Sequence, residues 1–204
     1  TIKVMGGEDW KDWMTALNEA GVLAENTVTV AYSYIGPKLT YPMYHKGTLG
    51  AAKAHLLKTA QEMTKEFSNV NAYVSVNKAL VTQASAAIPV VPLYIALLYR
   101  IMEKKQIHEN AIEQIARMYQ EKLFVDTPVL DQTGQIRMDD WELREDVQSE
   151  IEAFWEKLYA HEITDFSYID EYWVAFRQLF GFDLPNIDYS KDVNPNVAIP
   201  SIKD

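Results

Sequence analysis

The chain has 204 residues, a net charge of −10 and 48% hydrophobic residues, enough for one sizeable core. It has no cysteine, which excludes disulfides, thiolate metal sites and cysteine nucleophiles. So acidic a chain repels nucleic acid. Its longest apolar run, Ala84 to Tyr99, is too short and too broken by Pro89 and Pro92 to span a bilayer. No charged-then-apolar leader opens it, so no signal peptide is expected, and a reducing cytoplasm is the expected location.

In chain order, Trp10, Trp13, Met14 and Leu17 at helical spacing predict a helix over 8–20, closed by Gly21. Thr27 to Tyr34 is β-branched and aromatic and predicts a strand, with a turn at Ile35-Gly36-Pro37. Leu49, Ala52, Leu56, Leu57, Ala60 and Met63 mark a helix from about Thr48 to Phe67. Ala72 to Val81 predicts a second strand of the kind buried in a parallel sheet, with Thr82 to Ser85 as its small polar end. Ile88 to Met102 predicts a buried helix with Pro89 in its first turn. Glu109 to Leu123 is amphipathic. Short extended pieces over Val129 to Met138 flank a turn at Asp131 to Gly134. A helix from Asp140 to Tyr159 and an aromatic one from Tyr168 to Phe180, stopped by Gly181, precede an irregular tail from Leu184 to Asp204. With no repeat or linker, the expectation is one α/β domain or part of one.

Charge is uneven. The nets are −3 over residues 1–25, +5 over 26–102 and −12 over 103–204. Two readings fit the middle segment: attraction of a small anionic ligand, or a buried region where acids are scarce. The acidic third reads as solvated helical face.

Several chemistries find no support. Asp131 to Glu142 has acids at both ends like a calcium loop, but Ile136 stands where the sharp turn needs glycine, so a hairpin turn fits better. His45, His55, His108 and His161 are scattered and set no metal spacing. There is no G-x-S-x-G elbow and no G-x-G-x-x-G fingerprint; Gly47-x-x-Gly50 is too slight to be one. Tyr94, Tyr99, Phe154, Trp155, Tyr172, Trp173 and Phe176 read as core.

Tyr44 and Lys53 are the candidate catalytic residues. A tyrosine beside a lysine handles the proton that accompanies a hydride, because a nearby ammonium favours the phenolate and brings the phenol toward working pH. Nine steps along one α-helix would point the two side chains apart. They converge only if a helix begins between them, with Tyr44 on the entering loop, Thr48 as N-cap and Lys53 on the helix. The pair alone also fits a short-chain dehydrogenase acting on carbonyls, although four-residue spacing is usual there, or a helical interaction domain in which both residues are incidental.

Read together, GGEDWKDWMTALNEAGVL, YSYIGPKLTYPMYHKGTLGAAKAHL, LVTQASAAIPVVPLYIALLYRIM and LFGFDLPNIDYSKDVNPNVAIP resemble the trans-2-enoyl-CoA reductases, which include the FabV-type enoyl-ACP reductases, across essentially all 204 residues. The resemblance implies the C-terminal part of an enlarged Rossmann-type fold, helix-rich with a few parallel strands. It implies NADH as cofactor and trans-2-enoyl-CoA or enoyl-ACP as substrate, in fatty acid synthesis. The signature Tyr-x8-Lys is matched by Tyr44, the proton donor, and Lys53, which contacts the nicotinamide ribose. Leu80, Val81 and Thr82 fall on the strand end facing the cofactor, Tyr34 on a substrate-contacting tyrosine and Tyr99 near an acyl-pocket aromatic. The glycine-rich nucleotide-binding half of that family is not in these residues, so residues 1–204 are expected to be the C-terminal half, with an N-terminal half as partner.

Overall fold

A computed structural model describes residues 1–160, 162 and 168–198. Helices α1 (Ile2–Met5) and α2 (Glu8–Glu19) lead into β1 (Thr27–Ser33), a one-turn α3 (Tyr41–Tyr44), the long α4 (Gly47–Glu66) and β2 (Val70–Val76). Then follow α5 (Gln83–Ala87), α6 (Val91–Lys104), α7 (Ala111–Arg117) running into a π-helical turn (Met118–Leu123), β3 (Ile136–Arg137), α8 (Glu145–Tyr159) and α9 (Tyr168–Gln178).

The strands lie in the order β1-β2-β3, all parallel, β1 and β2 in register from Thr27 opposite Val70 to Ser33 opposite Val76. Between them α4 makes the crossover that parallel strands require. Successive side chains of β2 alternate between faces. Ala72 and Val74 pack with Met14, Leu56, Ala60 and Met63 under α2 and α4. On the other face Tyr73 and Val30 cover Met118, Leu123, Ile136 and Met138. A third, larger core joins α6 to α8 and α9 through Tyr94, Leu98, Met102, Val147, Ile151 and Tyr172. This is the expected helix-rich α/β architecture with a small parallel sheet.

Several boundaries differ from the sequence expectation, for identifiable reasons. The second strand starts at Val70 and stops at Val76 rather than reaching Val81. Beyond Asn77, whose N–H still donates to Ser33 O at 2.8 Å, side chains take the backbone donors. Lys78 N donates to Gln114 Oε1, Ala79 N to Glu142 Oε2, Val81 N to the Tyr99 hydroxyl and Thr82 N to Ser85 Oγ. Residues 77–82 are therefore a loop, with the backbone donors of residues 77, 78, 79, 81 and 82 bonded outside the sheet ladder. Thr82 to Ser85 is not a strand end: Thr82 and Ser85 form the capping box of α5. Helix α6 begins at Val91, after Val90 in the left-handed region (φ 71°), so Pro92 and not Pro89 occupies its first turn. The 131–134 turn is present, with the Asp131 carboxylate accepting from Thr133 N and Gln135 N, but β3 pairs in parallel with β2 and closes no hairpin. Helix α8 begins at Glu145, five residues later than expected. His161 lies outside the described residues. Among the described residues, no helix is long and apolar enough to cross a membrane.

Candidate functional site

The chain bends sharply between Tyr44 and Lys53, and the bend is a break between two helices. Tyr44 is the last residue of α3 and not part of a loop; Pro42 lies in the first turn of that helix. His45 N and Lys46 N both donate to Tyr41 O and close α3. Gly47 then takes φ 72°, a left-handed conformation that glycine adopts without steric penalty, and opens α4. Lys46 stands at the N-cap with no side-chain cap bond, so Thr48 is not the cap. The expected convergence follows: Lys53 Nζ lies 5.8 Å from the centroid of the Tyr44 ring. It also donates to Ser33 Oγ at 3.2 Å, at the end of β1.

The electrostatics differ from the local expectation. The Tyr44 hydroxyl is pushed up from its ordinary value, first by burial and then by the negative charge of Glu142 and by Tyr172. Burial brings Lys53 down to about 8. The ammonium lies over the ring and does not outweigh these effects, so at neutral pH Tyr44 is a phenol with a proton to give.

Tyr34, Tyr44, Lys53, Lys78, Leu80 and Thr82 line one cavity of about 340 Å³. It opens where β1 and β2 end, the carboxyl edge at which α/β sheets hold ligands. The Tyr34 ring packs edge-on against Tyr44, with centroids 4.8 Å apart at 87°. Val81 and Tyr99 face a neighbouring cavity of about 500 Å³ that shares Leu80 and Ile95 with the first. The Tyr99 hydroxyl accepts from Val81 N at 3.0 Å, and burial pushes it up to about 12. The residues singled out from sequence thus divide between two adjoining cavities.

Two buried groups escaped the sequence reading. Lys78 is 2% exposed, lines the first cavity, lies 4.6 Å from the Tyr99 ring centroid and is brought down to about 8 by burial. A lone cation inside an otherwise apolar strand pattern was its signal. Glu142 is 0% exposed; its carboxylate accepts from Tyr34, Tyr94 and Ala79 N. No local pattern marks it, because every one of these partners is distant in sequence. Among the described residues there is no group of three or more histidines and acids placed to hold a metal.

Comparisons with known proteins place this chain in a family. Residues 1–124 match the model described as the trans-2-enoyl-CoA reductase catalytic region, and residues 130–193 match one described as an enoyl reductase FAD binding domain. Among curated proteins, an enoyl-(acyl-carrier-protein) reductase (NADH) of Cytophaga hutchinsonii is 53% identical over 99% of this chain and 52% of its own length. A trans-2-enoyl-CoA reductase of Euglena gracilis is 49% identical over 98% of this chain and 38% of its own. Among solved structures, the Treponema denticola trans-2-enoyl-CoA reductase in complex with NAD matches with a TM-score of 0.87 and 46% identity, covering 95% of this chain and 49% of that one. The chain therefore spans about half the length of the relatives it matches.

The flavin in the second model's description does not fit the described part of residues 130–193. Their only glycines, Gly134 and Gly181, make no phosphate-cradling loop. The helices that start there carry Glu145 and Asp146, or Asp170 and Glu171, in their first turns, where they would repel a diphosphate. With the catalytic-region model matched over its first 124 residues and half of its positions shared with curated relatives along nearly its whole length, the chain belongs to the trans-2-enoyl-CoA reductase family.

Proposed function

We propose that this chain is the C-terminal, catalytic and substrate-binding half of an NADH-dependent reductase. That enzyme would act on the 2,3 double bond of trans-2-enoyl-CoA or enoyl-ACP thioesters in fatty acid synthesis, with a preceding half gripping the nucleotide. The observation that carries the reading is the placement of Tyr34, Tyr44, Lys53, Leu80 and Thr82 on one cavity at the carboxyl end of two parallel strands. NADH, when bound, supplies the hydride.

The residues of this chain then have separable tasks. Tyr44, held protonated, donates a hydrogen bond and then its proton where negative charge gathers on the reacting thioester. Lys53 gives one N–H to Ser33 and retains others for ribose hydroxyls, while its charge stabilises the phenolate left behind. Leu80 and Thr82 form the wall facing the nicotinamide, and Val81 between them faces the adjoining cavity. Tyr34 lies beside Tyr44 on the substrate side, and Tyr99 with the apolar face of α6 lines the adjoining space for the acyl chain.

The test is to mix the full-length protein with NADH and crotonyl-CoA and follow the nicotinamide absorbance. Loss of one NADH per crotonyl-CoA is expected; no oxidation with the enoyl thioester, or oxidation only with a ketone, overturns the reading. In the same assay Lys53→Ala is expected to weaken NADH binding as well as turnover, and an unchanged NADH dissociation constant would remove Lys53 from the ribose. Because Lys53 loses its charge as pH rises through about 8 in the free protein, kcat/KM for NADH is expected to fall above that pH. A flat profile there would show that the ammonium is not what NADH meets.

A further inference from the structure

We propose that Glu142 is a positioning residue of this site: its buried carboxylate anchors Tyr34, and through the Tyr34 ring it sets the direction of the Tyr44 hydroxyl and keeps that phenol a proton donor. The proposal deepens the reductase reading and rests on it.

Glu142 lies in the segment between β3 and α8, beneath the cavity floor. Its Oε1 accepts from the Tyr34 hydroxyl at 2.8 Å and from the Tyr94 hydroxyl at 2.6 Å. Its Oε2 accepts from Ala79 N at 2.7 Å, and its backbone oxygen accepts from Gln148 Nε2 at 2.7 Å. An ionised carboxylate only accepts, so three converging donors suit the charged form. Burial pushes the carboxyl up, and Tyr94, Ala79, Tyr34 and the positive charge of Lys78 work against it. Three segments meet on one side chain, the end of β1, the loop after β2 and α6, while α8 holds the backbone oxygen of the same residue.

What separates this cluster from an ordinary buried polar knot is where Tyr34 leads. Its ring lines the cavity and lies edge-on to Tyr44. Its other flank is closed by Gly36 (φ 75°), where an added Cβ would run into Thr40 Oγ1 and come within 2.7 Å of the Tyr34 hydroxyl. Held at the hydroxyl by Glu142 and along the flank by the turn, the Tyr34 ring has one position, and Tyr44 packs against it. The groups facing Tyr44 are Tyr34 from the end of β1, Lys53 from α4, Tyr172 from α9 and Glu142 from the segment before α8, and Lys78 from the loop after β2 lines the same cavity. Lys53 and Glu142 carry opposite charges and pull the phenol in opposite directions.

The test is steady-state kinetics of the full-length protein with NADH and crotonyl-CoA, from neutral to alkaline pH, on Glu142→Gln, Tyr34→Phe and the double variant, with Tyr44→Phe run alongside. Each single variant is expected to lose about 10-fold in kcat with KM for NADH unchanged. The double variant is expected to lose no more than the worse single, because the two residues act in series. In Glu142→Gln, where the negative charge is gone, the alkaline limb of kcat moves to lower pH; in Tyr34→Phe, which keeps the charge, it stays. Titration of Lys53 appears in kcat/KM for NADH, so the limb of kcat is the one to watch. Wild-type kcat in Tyr34→Phe, fully multiplicative losses, or an unmoved limb in Glu142→Gln each overturn the proposal. Where Glu142→Gln fails to fold, Glu142→Asp, which keeps the charge but draws it away from Tyr34, takes its place: a loss in kcat with KM for NADH unchanged is expected, and wild-type kcat overturns the proposal. Absence of NADH oxidation by the unaltered protein sinks the reductase reading itself; retained activity in Tyr44→Phe removes Tyr44 as donor; an inactive Tyr44→Phe beside a normal Glu142→Gln sinks only the positioning role.

Discussion

Tyr44→Phe in the full-length protein is expected to cut turnover about 10²-fold or more while NADH still binds. The substitution removes one oxygen and keeps the ring, so the edge-on contact with Tyr34 and the apolar wall survive. What disappears is the phenolic proton that burial and the charge of Glu142 keep in place, beside the Lys53 ammonium. A loss of this size is about 2.7 kcal/mol of transition-state stabilisation, the scale of one well-aimed donor. Paired measurements of kcat and of the NADH dissociation constant check it. Near-normal turnover would remove Tyr44 as donor, and a weakened dissociation constant with normal kcat would make it a binding residue only.

Arg117→Ala is expected to destabilise the fold by about 3–5 kcal/mol. The Arg117 guanidinium, 6% exposed, donates to Glu109 through Nε at 2.8 Å and Nη2 at 2.7 Å, to Asp140 through Nη1 and Nη2 at 3.2 and 3.0 Å, and to Met138 O at 3.1 Å. It also lies 4.0 Å from the centroid of the Trp141 ring. Truncation leaves Glu109, itself 3% exposed, as a buried charge without its partner. The unfolding midpoint in urea is expected to fall with the slope unchanged; a midpoint within error of wild type would mean that water replaces the guanidinium at no cost. The penalty is pH-dependent. Burial would raise the Asp140 carboxyl, but Arg117 and Lys122 outweigh it and hold it below its ordinary value. That stabilisation is complete above the unfolded carboxylate range and is lost as pH falls through the lowered folded value, so wild type and variant approach each other in acid.

The long helices were legible because burial of one face imprints a 3.6-residue period: Trp10, Met14 and Leu17 marked α2, and Val147, Ile151 and Trp155 marked α8. β1 was legible from its β-branched run, and the bend between Tyr44 and Lys53 from the glycines between them. What failed to show has a common cause. The end of β2 was misplaced because Gln114, Glu142 and Tyr99 satisfy its backbone donors from far along the chain. The direction of the Tyr44 shift was misjudged because Lys53, the charge paired with it from sequence, is not the whole environment: burial raises the phenol most, and Glu142 adds to it from far along the chain. Short-range pattern reports what neighbours do; it is silent about a side chain whose partners all arrive by tertiary packing. Membership of the family was readable because several long strings match in order, which periodicity alone could not supply.

The carboxylate beneath the cavity also bears on assembly. Its bonds to residues 34, 79 and 94 span 108, 63 and 48 positions. Closing such long loops is slow relative to winding a helix, so these closures are expected late in folding. A polypeptide leaving the ribosome displays Tyr44 and Lys53 early, yet both wait for the strand-and-helix segment around residue 142 to return before their surroundings are set. A piece ending near residue 124, however faithfully it carries Tyr44 and Lys53, lacks the carboxylate to which Tyr34 and Tyr94 are bonded.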